Sequence, residues 1–194
     1  MGDLVRLLRS DKFVKNTVVK TVFFVRIFVP MYIIIDPLTG FVLTCLADYF
    51  DAFFIKHQQG YTWHEYHTID KALDWVSYII MFVSGAIYGV AEKLLFWMVF
   101  RLIGQIIVSS SKKTWFFILF PNVYEFIFFW YVIVGGQLGF EISAVPTWIW
   151  MSVIILLKEI QEIWIHYYWP NRVLKYGYPR FLHPLGYQKK PGWK

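Results

Sequence analysis

Charge is scarce in this sequence. Of 194 residues, only 16% are Asp, Glu, Lys or Arg, against roughly 25% in an average soluble domain. So thin a polar complement cannot coat a soluble domain of this size, and the composition argues for a helical membrane protein. Cysteine is scarcer still. Cys45 stands alone, which excludes a disulfide within the chain and leaves the compartment open. No internal repeat and no second domain is visible. The first sixteen residues lack the positive tip and apolar core of a cleavable signal peptide. They alternate Val5, Leu7, Leu8, Phe13 and Val14 with Arg6, Arg9, Lys12 and Lys15, which predicts an amphipathic helix over 1–16 lying in the headgroup layer.

Apolar residues make up 58% of the chain and aromatic ones 22%. They gather into six segments, 17–35, 38–55, 72–90, 94–110, 114–135 and 146–166, each near the ~20 residues a spanning helix needs. The expected fold is therefore an all-α integral membrane domain of six transmembrane helices over 17–166, preceded by the interfacial helix. With the N-terminus inside, the inner segments 1–20, 56–71, 109–113 and 167–194 hold nearly all the Lys and Arg; Lys93 alone falls in an outer loop, and Arg26, Arg101 and Lys158 lie within spans. That asymmetry places both termini in the cytoplasm. The net charge of +6 is thereby explained by an anionic lipid surface rather than by nucleic acid. The tail, 167–194, mixes basic and aromatic residues with Pro170, Pro179, Pro184 and Pro191, and reads as an extended arm on the inner leaflet. The small size and the missing import signal favour a prokaryotic inner membrane.

Against this background the acidic residues stand out. Asp48 and Asp51 are spaced i,i+3, and Asp70 and Asp74 i,i+4, so each pair lies on one helix face. Carboxylates at the rim of a hydrocarbon layer are costly, and so are functional suspects. Two such pairs on adjacent helices, ending one and opening the next, can converge on hard divalent cations such as Mg²⁺ or Mn²⁺.

The order D-x2-D then D-x3-D across the second and third of six spans resembles the CDP-alcohol phosphatidyltransferase family, whose pattern reads D-x2-D-G-x2-A-R-x8-G-x3-D-x3-D. The length, the six spans and the amphipathic start agree with it, and Thr21, Arg26 and Pro30 loosely match its first helix. Departures are also plain. Ala52 replaces the first glycine, Ile55-Lys56 replaces Ala-Arg, a His or Tyr near Glu65 and Tyr66 replaces the second glycine, and the linker is one residue longer. Lys56 keeps a positive charge without the bidentate fork of arginine.

The resemblance implies a transferase of phospholipid synthesis that moves a phosphatidyl or phospho-alcohol group from a CDP-linked donor to an alcohol and releases CMP. It implies a two-metal Mg²⁺ or Mn²⁺ site on Asp48, Asp51, Asp70 and Asp74, with Asp74 as catalytic base. Ala52 and Lys56 would lie against the donor nucleotide and phosphate, and Ser109, Lys112, Lys113 and Arg101 toward the acceptor. The family often dimerises through its membrane helices, so a homodimer is carried over. The altered pocket residues motivate an alternative: a decayed member serving as a structural subunit of a membrane complex. An ion channel or carrier fits less well, because the acidic cluster lies at one membrane face rather than at midplane.

Other residues keep two readings. His64 and His67 continue toward Asp70 at helical spacing, either as zinc or iron ligands or as wet loop histidines. The Lys112-Lys113 pair either binds phosphate or only sets topology. Arg101 must face protein or a polar cavity, contacting substrate or pairing with a carboxylate such as Glu125. Lys158 and Glu162 are placed to pair at i,i+4.

Overall fold

The computed structural model describes residues 2–52, 54–55, 63–111, 116–141 and 144–164. Every regular element among them is helical: α1 (Gly2–Leu8), α2 (Asp11–Val14), α3 (Thr17–Phe28), a 3-10 helix (Val29–Ile34), α4 (Pro37–Ala52), α5 (Trp63–Ile87), α6 (Ala91–Ser111), α7 (Phe116–Leu119), α8 (Tyr124–Phe128), a π-helix (Phe129–Gln137) and α9 (Ala144–Ile163). Among the described residues each of the six apolar segments is largely helical. The chain divides into two compact units, Met1–Met98 with Tyr124–Ile142, and Val99–Val123 with Ser143–Lys194.

Among the described residues, two stretches are long and apolar enough to cross a membrane, Thr17–Ile34 and Phe116–Gln137. The six expected spans are therefore not matched one for one. Helix α4 has only 16 residues, and α5 carries Asp70, Lys71 and Asp74 in its first half. Buried charge and exposed apolar surface nonetheless occur together. Arg26, Asp51, Asp70, Asp74, Arg101 and Glu162 are buried, while Phe24, Phe28, Ile35, Phe96, Leu156 and Leu157 are exposed. Exposed apolar side chains in such number mark a surface that meets something other than water.

In the first unit the expected N-terminal helix is two short ones. The chain breaks at Arg9–Ser10, where the Ser10 hydroxyl accepts from the Phe13 amide and caps α2. Asn16 then caps α3 by accepting from the Val19 amide at 3.1 Å. Short polar side chains satisfy the first free amides of a helix, so each such residue starts a new one. Leu7 and Phe13 pack against a core of Val19, Ile55, Tyr66, Ile69 and Leu73, and Lys12 pairs with Glu65 at 2.8 Å. Part of the apolar face expected to lie in lipid headgroups is instead turned into the fold.

Helix α3 tightens into 3-10 winding at Pro30, which has no amide hydrogen to continue the ladder. The next helix begins with a cap. The Asp36 carboxylate, just before Pro37, accepts from the Thr39 amide at 3.4 Å, the Thr39 hydroxyl at 2.6 Å and Gln137 Nε2 at 2.6 Å. Proline directly after a capping aspartate suits a helix start. Gly40 then lets α4 pass against the 3-10 helix, since a Cβ there would collide with the Ile33 backbone.

Helix α5 begins at Trp63, nine residues before the expected span. Tyr66, Ile69 and Leu73, at i, i+3 and i+7, continue the apolar face backward into the presumed loop and bury it. Asp70 and Asp74 accordingly sit about two and three turns into α5, rather than opening it. The helix ends at Gly89, whose φ of 72° allows the Val90 amide to reach the Gly85 carbonyl at 2.8 Å, a glycine-dependent C-cap.

The second unit contains α7, most of α6 and α9. The 114–135 segment is broken between α7 and α8 at Phe120–Val123, where Pro121 interrupts the helix. Within this unit Phe100 and Phe120 rings meet at 5.1 Å.

Candidate functional site

The centre of the first unit is a guanidinium. Arg26, from α3, is 2% exposed and lies among all four of the expected aspartates. Its Nη1 is 2.5 Å from Asp48 Oδ1, its Nε 3.1 Å from Asp51 Oδ2, and its Nη2 3.0 Å from Asp74 Oδ1 and 3.5 Å from Asp70 Oδ1. A lone arginine within a hydrophobic helix must find carboxylates, and the i,i+3 and i,i+4 spacing on α4 and α5 presents four at once. Lys71 adds a second cation, 2.7 Å from Asp70 and 2.8 Å from Asp74. The Tyr66 hydroxyl donates to Asp51 at 2.7 Å.

These contacts divide the four carboxylates. Oxygen atoms of Asp48, Asp70 and Asp74 lie within 4.8 Å of one another, close enough to hold a metal ion. Asp51 falls outside that group and is held by Arg26 and Tyr66. Asp48 is the open member, its side chain 51% exposed, whereas Asp70 and Asp74 are buried. Burial pushes Asp70 above the usual carboxylate range; Lys71 pulls the other way, and the neighbouring Asp74 charge adds to the rise. Burial raises Tyr66 as well, followed by the Asp70 and Asp51 charges, so its phenol stays a donor.

The donor set fits a hard divalent ion, because every ligand atom is a carboxylate oxygen. Charge limits the number. With all four carboxylates ionised against Arg26 and Lys71, the cluster has an excess of two negative charges, which matches one divalent ion.

Beside the cluster lies a cavity of about 20 Å³ bounded by Asp48, Asp74, Ser77, Thr44, Glu125 and the Arg26 guanidinium. That is room for one water-sized group.

Arg101, in the second unit, donates to the Phe120 carbonyl at 2.7 Å, stacks over Phe117 at 4.4 Å and faces Glu162 at 4.0 Å. Within its own unit Glu162 is its carboxylate partner. The Lys158–Glu162 pairing is present at 3.8 Å, and the Asn122 amide donates to the same Glu162 oxygen at 3.1 Å. Lys56, Lys112, Lys113 and the tail lie outside the described residues, as do the side chains of Ala52, His64, His67 and Ser109.

Sequence reasoning did not assign Arg26, Lys71, Tyr66 or Ser77 to the site. A usable signal existed for two of them: Arg26 is a charge in mid-span, and Lys71 sits at i+1 from Asp70 and three residues before Asp74. No family model, no curated protein and no solved structure matches this chain.

Proposed function

We propose that this chain is a membrane-embedded, metal-dependent transferase of the CDP-alcohol phosphatidyltransferase kind. The reading rests chiefly on one observation: the D-x2-D and D-x3-D aspartates of α4 and α5 converge on a single point, around Arg26. The outward apolar side chains support the membrane placement. On this reading the six apolar helices cross a prokaryotic inner membrane, the termini and the carboxylates face the cytoplasm, and two copies associate through their helices.

Asp48, Asp70 and Asp74 would hold Mg²⁺ or Mn²⁺. A bound divalent ion supplies charge neutralisation for the donor diphosphate and its leaving group. The second of the two ions expected from the family pattern requires the Arg26 guanidinium to withdraw from the cluster.

The chain's own groups then carry the transfer. The acceptor oxygen forms a bond to the phosphorus bearing the lipid or alcohol. The bond from that phosphorus to the oxygen of CMP breaks, CMP leaves with the electron pair, and the acceptor proton passes to Asp74. Asp74 Oδ1 contacts Arg26 and Oδ2 contacts Lys71, and a carboxylate oxygen, with two lone pairs, accepts more than one partner. Lys71, 27% exposed, is the described cation that would meet the donor phosphates; Lys56 and Ala52 remain donor contacts on the family pattern alone. Tyr66 fixes Asp51, and Asp51 in turn orients Arg26.

A second reading is favoured by the same guanidinium. One guanidinium reaches all four aspartates, the arrangement of an ion-pair hub in a purely structural subunit. Metal-dependent release of CMP from CDP-diacylglycerol, lost in Asp74→Asn, separates the two. Release supports the transferase. Its absence with every CDP-linked donor, joined to copurification with other membrane subunits in fixed ratio, supports the scaffold.

A further inference from the structure

Glu125 is a fifth carboxylate, and the divalent site does not use it. It comes from α8 and bounds the same small cavity as Asp48 and Asp74. Two hydroxyl residues complete the wall. Thr44 stands at i,i+4 from Asp48 on α4 and Ser77 at i,i+3 from Asp74 on α5, so each shares a helix face with a carboxylate. Ser77 is 4% exposed, and its hydroxyl has no hydrogen-bond partner among the described residues. A buried polar atom left so is costly, and at a cavity wall it marks a place where a ligand is received. The Thr44 hydroxyl gives its proton to the Gly40 carbonyl at 2.7 Å, which leaves its oxygen able only to accept.

We propose that this cavity binds a monovalent metal cation, Na⁺, held by Glu125, Ser77 and Thr44, with Asp48 and Asp74 shared between it and the divalent ion. The site goes beyond the transferase reading and does not depend on it. The chemistry of the wall is the first argument. Three carboxylates and the Thr44 oxygen accept, and the Arg26 guanidinium on the same wall is already engaged by four aspartates. A water has two protons for those four groups, whereas a cation meets every oxygen at once and takes a lone pair of Ser77 as well. Charge is the second. Glu125 and the four aspartates, all ionised, carry five negative charges against Arg26 and Lys71. One divalent ion leaves a single negative charge, which matches a monovalent ion and not a second divalent one. Size is the third. About 20 Å³ holds one water-sized particle, so the ion enters without its hydration shell and the wall oxygens replace it. Anionic oxygens attract the smaller ion more strongly, because the charges approach more closely, and Na⁺ is therefore expected over K⁺.

The test uses the purified full chain in detergent with saturating Mg²⁺, and reads the melting temperature in sodium, potassium or choline chloride at one ionic strength. At about ten times its dissociation constant, Na⁺ should raise melting by about 3–6 °C over choline, and K⁺ should raise it less. Sodium NMR reads the same binding directly, as saturable line broadening. Glu125→Gln and Ser77→Ala should each lose most of the shift and of the broadening. Asp11→Asn, which removes an exposed carboxylate paired with Lys15, should keep both. Equal melting in the three salts, a rise in K⁺ as large as in Na⁺, or a response retained in both cavity variants overturns the inference. A sodium response seen only without Mg²⁺ does the same, because Na⁺ is then a stand-in at the divalent site. None of these readouts requires CMP release, so the sodium site and the transferase reading stand or fall separately.

Discussion

Arg26 Nη2 donates to Asp74 Oδ1 at 3.0 Å, a buried bond between residues 48 positions apart in sequence. It joins α3 to α5 at the point where α4 also delivers Asp48 and Asp51. The same guanidinium that holds the three helices together therefore fixes the charge left for a ligand.

Removing that cation strands the carboxylates. Arg26→Gln should destabilise the protein by about 3–5 kcal/mol, the usual consequence of leaving buried charges unpaired. Divalent ions should restore part of the loss, since they replace the missing charge. Thermal unfolding in detergent with and without Mn²⁺ measures both effects, and an unchanged melting curve would show that Arg26 is not the hub.

Tyr66 offers a milder perturbation. Tyr66→Phe keeps the ring in the Val19, Ile55, Ile69 and Leu73 core but deletes the donor to Asp51. A lost hydrogen bond to a buried carboxylate costs about 1.5–3 kcal/mol. Denaturant unfolding should register that, and metal affinity should change little, because Asp51 is outside the close group of three.

How much of this was legible beforehand differs by level. Helical class, the positions of the six apolar segments and the aspartate spacing follow from local pattern, because periodicity and composition are local quantities. Arg26 as the meeting point is not local. Which carboxylates a mid-span arginine reaches depends on how α3, α4 and α5 pack. The early start of α5 was obscured because His64, Glu65 and His67 look like loop, although Tyr66, Ile69 and Leu73 carry the apolar stripe. The break at Phe120–Val123 was hidden inside a continuous apolar run. Ser77 carries no sequence signal at all, since only a cavity distinguishes it from any other helical serine.

Asp36 gives a dependence on acid. Hydrogen bonds from the Thr39 side chain and then from Gln137 hold its carboxyl below the usual 3.8. The folded pKa lies under the unfolded one, so the ionised cap stabilises the fold above the unfolded value. That contribution is lost as pH falls through the folded pKa. Asp36→Asn should therefore flatten the acid limb of a stability curve below about pH 4. Identical acid limbs for the two proteins would count against the cap.

The second unit has its own charge hub. Glu162→Ala leaves Arg101 and Lys158 buried without their shared carboxylate, and should cost about 3–5 kcal/mol. Metal binding at Asp48, Asp70 and Asp74 should survive, because none of those ligands belongs to this unit. Parallel unfolding and Mn²⁺ binding assays on the variant distinguish a local loss from a general one.

The most direct measurement is a Mn²⁺ titration of the purified full chain, followed by electron paramagnetic resonance of the free ion. One equivalent should bind per chain, with binding abolished in Asp70→Asn and Asp74→Asn and a second equivalent gained in Arg26→Gln. Absence of saturable binding by a folded wild-type protein, or binding indifferent to all three substitutions, would contradict the carboxylate cluster as a metal centre.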